Sequence, residues 1–298
     1  MKKRADVKIG FVCNNNCRFC VQAHKKQFGN RPLSDIKKDL ELARNNCEEV
    51  VFTGGEPTIR SDILDLVRFA KSLGYTQIQI QSNGRRFAYP GFCRQIIASG
   101  ATEFAPALHG HSPKLHDFLT GSTGSFDQTV AGIKNLKSLG QRVITNTVIV
   151  KPNYRYAENI AELLVSLRVD QYQLAFVHPI GHAMKNYDSI VPSVSLAAPF
   201  VQRGLQVGIG LGMSVMAEAM PFCTMNGYES YVSELVIPDT EIRDLQYDPD
   251  YKKTRKTEGK QKFSQCKSCI YDGSCEGPWK EYPERMGSDE FTAVKGVC

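Results

Sequence analysis

Ten cysteines are spread unevenly along the 298 residues. Three of them, Cys13, Cys17 and Cys20, fall within the stretch "VCNNNCRFC" with the spacing C-x3-C-x2-C. Four more, Cys266, Cys269, Cys275 and Cys298, lie near the C-terminus, the first three as C-x2-C-x5-C, and Cys223 lies upstream of them. Cys47 and Cys93 stand alone and read as ordinary buried thiols. Where thiols stay reduced, clustered cysteines are metal ligands rather than disulfide partners, so two ligand sets are implied. A structural zinc site closes its tetrahedron with four protein ligands, whereas the first set supplies three. Two readings remain: an iron–sulfur cubane with one iron open to an outside chelator, or zinc with a fourth ligand from elsewhere, such as His24. The two-residue spacer of the second set, taken alone, suits zinc.

The elements around these cysteines alternate short apolar runs with segments of helical period. Strands are expected at 6–12, 48–54, 76–82, 102–108, 142–150 and 171–177. The intervening helices are expected to start near Ser34, Ser61 and Ser125 as N-caps and to end at Gly74, Gly100 and Gly140. This order predicts an α/β fold, a partial (β/α)6 TIM-like barrel, with a doubly wound open sheet as its rival. The first cysteine loop then follows the first strand, on the face where barrel active sites assemble. Beyond residue 192 the pattern gives a last helix at 194–212, a strand at 213–220 and then turns and cysteines. A boundary near 215 divides the chain into 1–214 and 215–298, the second part too poor in apolar runs to stand without bound metal.

Hydrophobic residues make up 42% of the chain and charged residues 23%, and no apolar run approaches the roughly 20 residues that span a bilayer. The N-terminus lacks the apolar core of a secretory signal, so a cytoplasmic protein is expected. The net charge is +6, and the run "KKTRKTEGKQK" at 252–262 reads as a solvated loop rather than a nucleic-acid surface.

"CNNNCRFC" resembles the C-x3-C-x-aromatic-C signature of the radical S-adenosylmethionine (radical SAM) superfamily, with Phe19 at the aromatic position. "TGGEPT" at 53–58 is similar to that superfamily's glycine-rich methionine-binding motif. "QSNG" at 81–84, "ALHG" at 107–110 and "TNTVIVKPN" at 145–153 resemble its later strand ends, in the branches of molybdenum-cofactor, heme and peptide-maturase enzymes. The resemblance implies a [4Fe-4S] cluster on Cys13, Cys17 and Cys20, its open iron chelated by S-adenosylmethionine. It implies that Gly54 and Gly55 let the backbone approach the cofactor, that Glu56 accepts from the methionine ammonium, and that Ser82 and Asn146 meet its carboxylate or ribose. Phe19 would shield adenine and cluster, and His109 would make a polar contact nearby. His178 is expected to face the same mouth, and His109, His111 and His116 are not expected to bind metal.

The C-terminal cysteines resemble the SPASM and Twitch extensions of these enzymes, which carry auxiliary iron–sulfur clusters. The longer SPASM pattern has a further cysteine where this chain has Trp279, so one auxiliary [4Fe-4S] cluster on Cys223, Cys266, Cys269 and Cys275 is implied, with Cys298 left over. The implied activity is reductive cleavage of S-adenosylmethionine to a 5'-deoxyadenosyl radical that takes hydrogen from a peptide or protein substrate, the auxiliary cluster aiding oxidation or bond formation. Tailoring of a small molecule is the alternative, because only twelve residues precede Cys13 and no fused leader-binding domain is expected. A flavodoxin or ferredoxin would supply the electron. The rival from another class, a zinc or iron–sulfur RNA-binding protein, leaves "TGGEPT" without a task.

Overall fold

The computed structural model describes residues 3–296. Seven parallel strands run in sequence order: β1 (Arg4–Lys8), β2 (Glu49–Thr53), β3 (Gln77–Ser82), β4 (Glu103–Pro106), β5 (Arg142–Ile149), β6 (Gln171–Phe176) and β7 (Ser214–Glu218). Two short strands, β8 (Thr240–Arg243) and β9 (Tyr247–Asp248), extend the sheet on the other side of β1, so its order is β7-β6-β5-β4-β3-β2-β1-β8-β9. β8 pairs parallel with β1, Arg4 opposite Thr240, and β9 returns antiparallel.

The helices earn their places by apolar spacing. α1 (Leu33–Arg44) buries Ile36, Leu40 and Ala43; α2 (Ile63–Ser72) buries Ile63, Leu66, Val67 and Ala70. α3 (Pro90–Ser99), α4 (Pro113–Thr120), α5 (Ser125–Ser138) and α6 (Ala157–Ser166) follow, α6 burying Ala157, Ile160, Ala161 and Leu164. Intervals of three and four residues put one stripe against the outward-facing Val50, Phe52, Ile78 and Ile80 of the sheet. Each such aliphatic side chain contributes about 1.5–3 kcal/mol on full burial. Past β6 come two one-turn helices, α7 (His182–Lys185) and α8 (Tyr187–Ile190), and then α9 (Val194–Ile209).

Several local expectations are corrected. None of Ser34, Ser61 and Ser125 is an N-cap: those positions belong to Pro32, Asp62 and Gly124. The serines sit one position from the cap or inside the first turn, where a proline or a left-handed glycine already sets the entry. The glycines behave as expected, Gly74, Gly100 and Gly140 each turning at positive φ where a helix ends. β1 stops at Lys8, four residues early; from Ile9 to Val12 the chain keeps backbone bonds to Thr53, Gly55 and Glu56, following the turn after β2 rather than a regular ladder. Position 215 falls at the start of β7, and β7, β8 and β9 all join the barrel sheet. The basic run is not uniformly solvated: Arg255 and Lys260 are buried, at 2% and 6% exposure. A short π-helical turn at Arg255–Gly259 follows α10 (Tyr251–Thr254) and carries the chain between these two inward cations.

Candidate active site

Cys13, Cys17 and Cys20 lie on a loop laid across the C-terminal ends of β1 and β2. Gly55 N–H donates to the Gly10 carbonyl and Glu56 N–H to that of Val12, both at 2.8 Å. A Cβ on Gly54 would stand 2.1 Å from the Gly10 oxygen, and one on Gly55 2.2 Å from that of Val12. The close approach these glycines permit is therefore between the glycine turn and the cysteine loop. Gly54 also holds a φ of +127° that side chains rarely adopt.

Glu56 is 3% exposed. Its carboxylate accepts from Thr58 N–H at 3.0 Å, Thr58 hydroxyl at 2.6 Å, Ser82 hydroxyl at 2.7 Å and Asn83 N–H at 2.6 Å. Three of these donors meet Oε1 and one meets Oε2, so the carboxylate ties the ends of β2 and β3 together and keeps acceptor capacity on Oε2. Burial pushes its carboxyl above the usual range, with the donors opposing. Ser82 is occupied likewise, accepting from Gly84 N–H at 2.9 Å. Asn146 is the fifth residue of β5, inside the strand rather than at its end, and its buried Oδ1 has no protein partner. An orphaned acceptor at this place fits a ligand hydroxyl or ammonium.

Phe19 is buried and meets the His109 ring edge-on, centroids 4.8 Å apart. His109 Nδ1 accepts from Val148 N–H at 3.2 Å, which fixes its proton on Nε2. His116 Nδ1 in turn accepts from His109 N–H at 3.1 Å. Burial lowers His109 to about 3 and His116 to about 4, so both are neutral.

Sequence reasoning missed the residues that hold the loop from outside. Arg85 Nη1 donates to the Asn14 carbonyl at 2.6 Å, to Asn15 Oδ1 at 2.9 Å and to Ser122 at 2.9 Å. His182 N–H donates to the Cys20 carbonyl at 3.0 Å, and its Nδ1 lies 2.9 Å from that of Cys17. Arg85 follows directly on "QSNG", and that adjacency was the available signal; nothing in the sequence marks His182. Burial pushes all three thiols up, Cys17 most. Metal binding must therefore displace protons from them.

The second set assembles as one group: Cys223, Cys266, Cys269 and Cys275 line a single cavity with Phe222, Phe263 and Phe291. Backbone N–H groups reach three of its sulfurs at 3.4 Å: Phe263 to Cys266, Val294 to Cys269 and Gly277 to Cys275. Burial raises Cys223 to about 11. Among the described residues no three His, Cys, Asp or Glu side chains converge on a point fit for one metal ion. Four thiols arrayed round a shared cavity are a soft donor set of the kind that takes iron or zinc. Cys298 lies outside the described residues. Cys47 and Cys93 are fully buried, as expected.

Trp279 joins this region to the barrel mouth. His178 lies flat on its indole, centroids 3.8 Å apart and planes within 6°, and pairs with Glu281 at 3.1 Å. Lys260 Nζ is 3.9 Å from the same centroid and so must occupy the opposite face. His178 thus serves this junction. Around it Arg255 reaches Glu234 at 2.7 Å, Glu276 at 3.3 Å and Glu218 at 3.5 Å.

A partial parallel barrel with a three-thiol loop after its first strand and a Gly-Gly-Glu turn after its second is the arrangement that the resemblance to the radical SAM superfamily implies. The chain belongs to the radical SAM superfamily, whose match covers residues 7–164. It is a radical SAM enzyme, with a [4Fe-4S] cluster and S-adenosylmethionine as its cofactors. By sequence it is similar to a probable GTP 3',8-cyclase of Saccharolobus islandicus, 30% identical over 191 residues, or 62% of this chain and 61% of that protein. It is also similar to the AdoMet-dependent heme synthase of Oleidesulfovibrio alaskensis, 28% identical over 174 residues, 57% of this chain and 44% of that one. The chain thus spans about three fifths or less of the length of these relatives. By fold it is similar to SuiB of Streptococcus suis bound to S-adenosylmethionine, with a TM-score of 0.69 and 17% identity over 98% of this chain and 76% of that one. It resembles anSMEcpe with AdoMet and the Cp18Cys peptide at a TM-score of 0.66 and 11% identity, over 98% and 92%. These likenesses establish the partial radical SAM barrel. No helix among the described residues is long and apolar enough to cross a membrane.

Proposed function

We propose that this enzyme abstracts hydrogen from a residue of a peptide or protein, using Cys13, Cys17 and Cys20 to hold the reactive cluster and Cys223, Cys266, Cys269 and Cys275 to hold one auxiliary [4Fe-4S] cluster in the segment from 215 on. The cluster and S-adenosylmethionine, when bound, supply reductive cleavage and hydrogen abstraction. The chain's own residues position them: Arg85 and His182 fix the cysteine loop, the 54–55 turn supports it from below, and Phe19 covers it with an apolar ring. Asn146 offers its unpaired oxygen to the cofactor's hydroxyl or ammonium groups.

The observation that carries the auxiliary assignment is the cavity lined by Cys223, Cys266, Cys269 and Cys275. Four protein ligands favour electron transfer over substrate binding at that cluster. The peptide reading is supported by whole-chain likeness to SuiB, which has been seen bound to precursor peptide SuiA. Tailoring of a small molecule is the second reading, favoured by the sequence similarity to the GTP cyclase and the heme synthase.

Anaerobic reconstitution tests the chemistry. About eight irons per chain are expected, with 5'-deoxyadenosine formed on adding S-adenosylmethionine and dithionite. Zinc alone, with no cofactor cleavage, overturns the proposal. Co-expression with short peptides encoded beside the gene, followed by mass spectrometry, tests the substrate: loss of hydrogen from a peptide is expected, and turnover of a nucleotide or porphyrin instead favours the second reading.

A further inference from the structure

The two lysines that follow the cysteine loop meet different fates. Lys25 and Lys26 stand on a six-residue 3-10 helix, Ala23–Phe28. Lys25 Nζ is paired with the Asp244 carboxylate. Lys26, half-buried, reaches the loop instead: its Nζ donates to the Asn15 carbonyl and to Asn16 Oδ1, both at 3.2 Å. Among the described residues no carboxylate forms an ion pair with it. A lysine bonded only to neutral acceptors keeps its positive field, whereas one paired as Lys25 is loses most of it at a distance.

Asn15, the residue Lys26 grips, is buried and tied directly to the first thiol. Its N–H reaches Cys13 Sγ at 3.4 Å, and its Oδ1 accepts from Arg85 Nη1 at 2.9 Å. The other cations at the loop also lack carboxylate partners. Arg85 bonds only neutral acceptors, and Arg18 Nε donates to the Phe118 carbonyl at 2.9 Å. Burial raises all three thiols, and Lys26 is the cation that works against burial at each of them. The opposing carboxylate, Glu56, bears on Cys13 but not on Cys17 or Cys20. The loop is thus built with positive charge beside it that no acidic side chain neutralises.

Resting on the assignment of the reactive cluster to Cys13, Cys17 and Cys20, we infer that Lys26 is a positioning residue whose fixed charge sets how readily that cluster takes up its electron. Electron uptake adds one negative charge at the cysteine loop and leaves every bond and proton in place; the one-electron donor is oxidised in the same step. A positive charge held beside the loop favours the reduced state over the oxidised one, because net charge around an iron–sulfur cluster shifts its potential. The two hydrogen bonds to the asparagine spacer keep that charge in one place. Lys26 therefore makes the cluster easier to reduce, and Lys25, neutralised by Asp244, does not share the task.

The test is a potentiometric titration of the reconstituted holoenzyme followed by electron paramagnetic resonance. The signal that changes on adding S-adenosylmethionine identifies the first cluster, and the auxiliary signal is an internal reference. Lys26→Gln keeps a donor for the spacer and removes the charge. It is expected to lower the reduced-to-oxidised ratio of the first cluster about tenfold at a fixed solution potential, or about 59 mV for a one-electron couple, with the auxiliary signal unmoved. Lys26→Arg is expected to bring the ratio back to within about twofold of the unmodified enzyme. A change below about twofold in Lys26→Gln, or an equal change in Lys26→Arg, overturns the inference. If Lys26→Gln takes up no iron at the first set, Lys26→Arg decides: loading at the native potential supports the charge, and failure of both to load overturns it. In the unmodified enzyme, absence of any signal responsive to S-adenosylmethionine removes the cluster assignment beneath, whereas a responsive signal that Lys26→Gln does not move removes the Lys26 inference alone.

Discussion

Glu56 gathers four donors on one buried carboxylate. Glu56→Ala leaves Thr58 N–H, Asn83 N–H and two hydroxyls without their buried acceptor, and should cost about 3 kcal/mol or more in chemical denaturation. A loss below about 1 kcal/mol would show that water replaces the carboxylate easily. The cysteines make a second expectation at this scale. Replacing Cys13, Cys17 and Cys20 together with alanine should leave about four irons per chain after reconstitution, and none remaining would refute the auxiliary set. The buried histidines give a third. His109 and His116 titrate at about 3 and 4 in the folded protein, below the 6.5 of an ordinary histidine. The unfolded chain therefore binds more protons below pH 6.5, and stability must fall as pH drops from there toward 4. A His116→Asn variant should show a shallower fall over that window, and an unchanged slope would remove His116 as a cause.

At the scale of elements, the glycine turn after β2 and the cysteine loop after β1 are a single unit. Each side fits only because Gly54 and Gly55 lack a Cβ that would stand about 2 Å from a carbonyl oxygen. Gly55→Ala should displace the loop and lower iron retention at the first site while leaving the auxiliary irons bound. Iron analysis and electron paramagnetic resonance of the reduced protein read this directly, and a full complement of iron would show that the loop adapts. The same scale explains the early end of β1: past Lys8 the chain bonds to Thr53, Gly55 and Glu56 and so follows the turn after β2 rather than the regular ladder. The contacts of the loop, more than the propensity of "IGFV", decide where that strand stops.

For the whole molecule, residues beyond 215 are not a separate ball tethered to a barrel. They supply β7 at one end of the strand order and β8 beside β1, and they place Trp279 against His178 at the mouth. A chain truncated after residue 214 would expose the edges of β6 and β1 and the faces that Arg255 and Trp279 cover. It is expected to aggregate by light scattering, and a monodisperse, cooperatively melting fragment would show that the barrel is independent. Arg255, Lys260, Glu234 and Glu276 form a buried group with the half-buried Glu218 at its edge. Removing Arg255 leaves three carboxylates facing Lys260 alone, so Arg255→Met should destabilise by several kcal/mol in chemical denaturation.

The sequence by itself determined the repeating strand and helix, the two cysteine sets and the Gly-Gly-Glu turn, because these depend on local period and on ligand spacing. Only the tertiary structure decided that Glu56 faces four protein donors, that Arg85 and His182 brace the loop, and that two cations of the basic run lie inside. It also decided that the last strands close onto both sides of the barrel sheet. These contacts join residues far apart in the chain, often by a hundred positions or more, and no local period records them. Tertiary burial set their chemistry: it neutralised the histidines and raised the thiols.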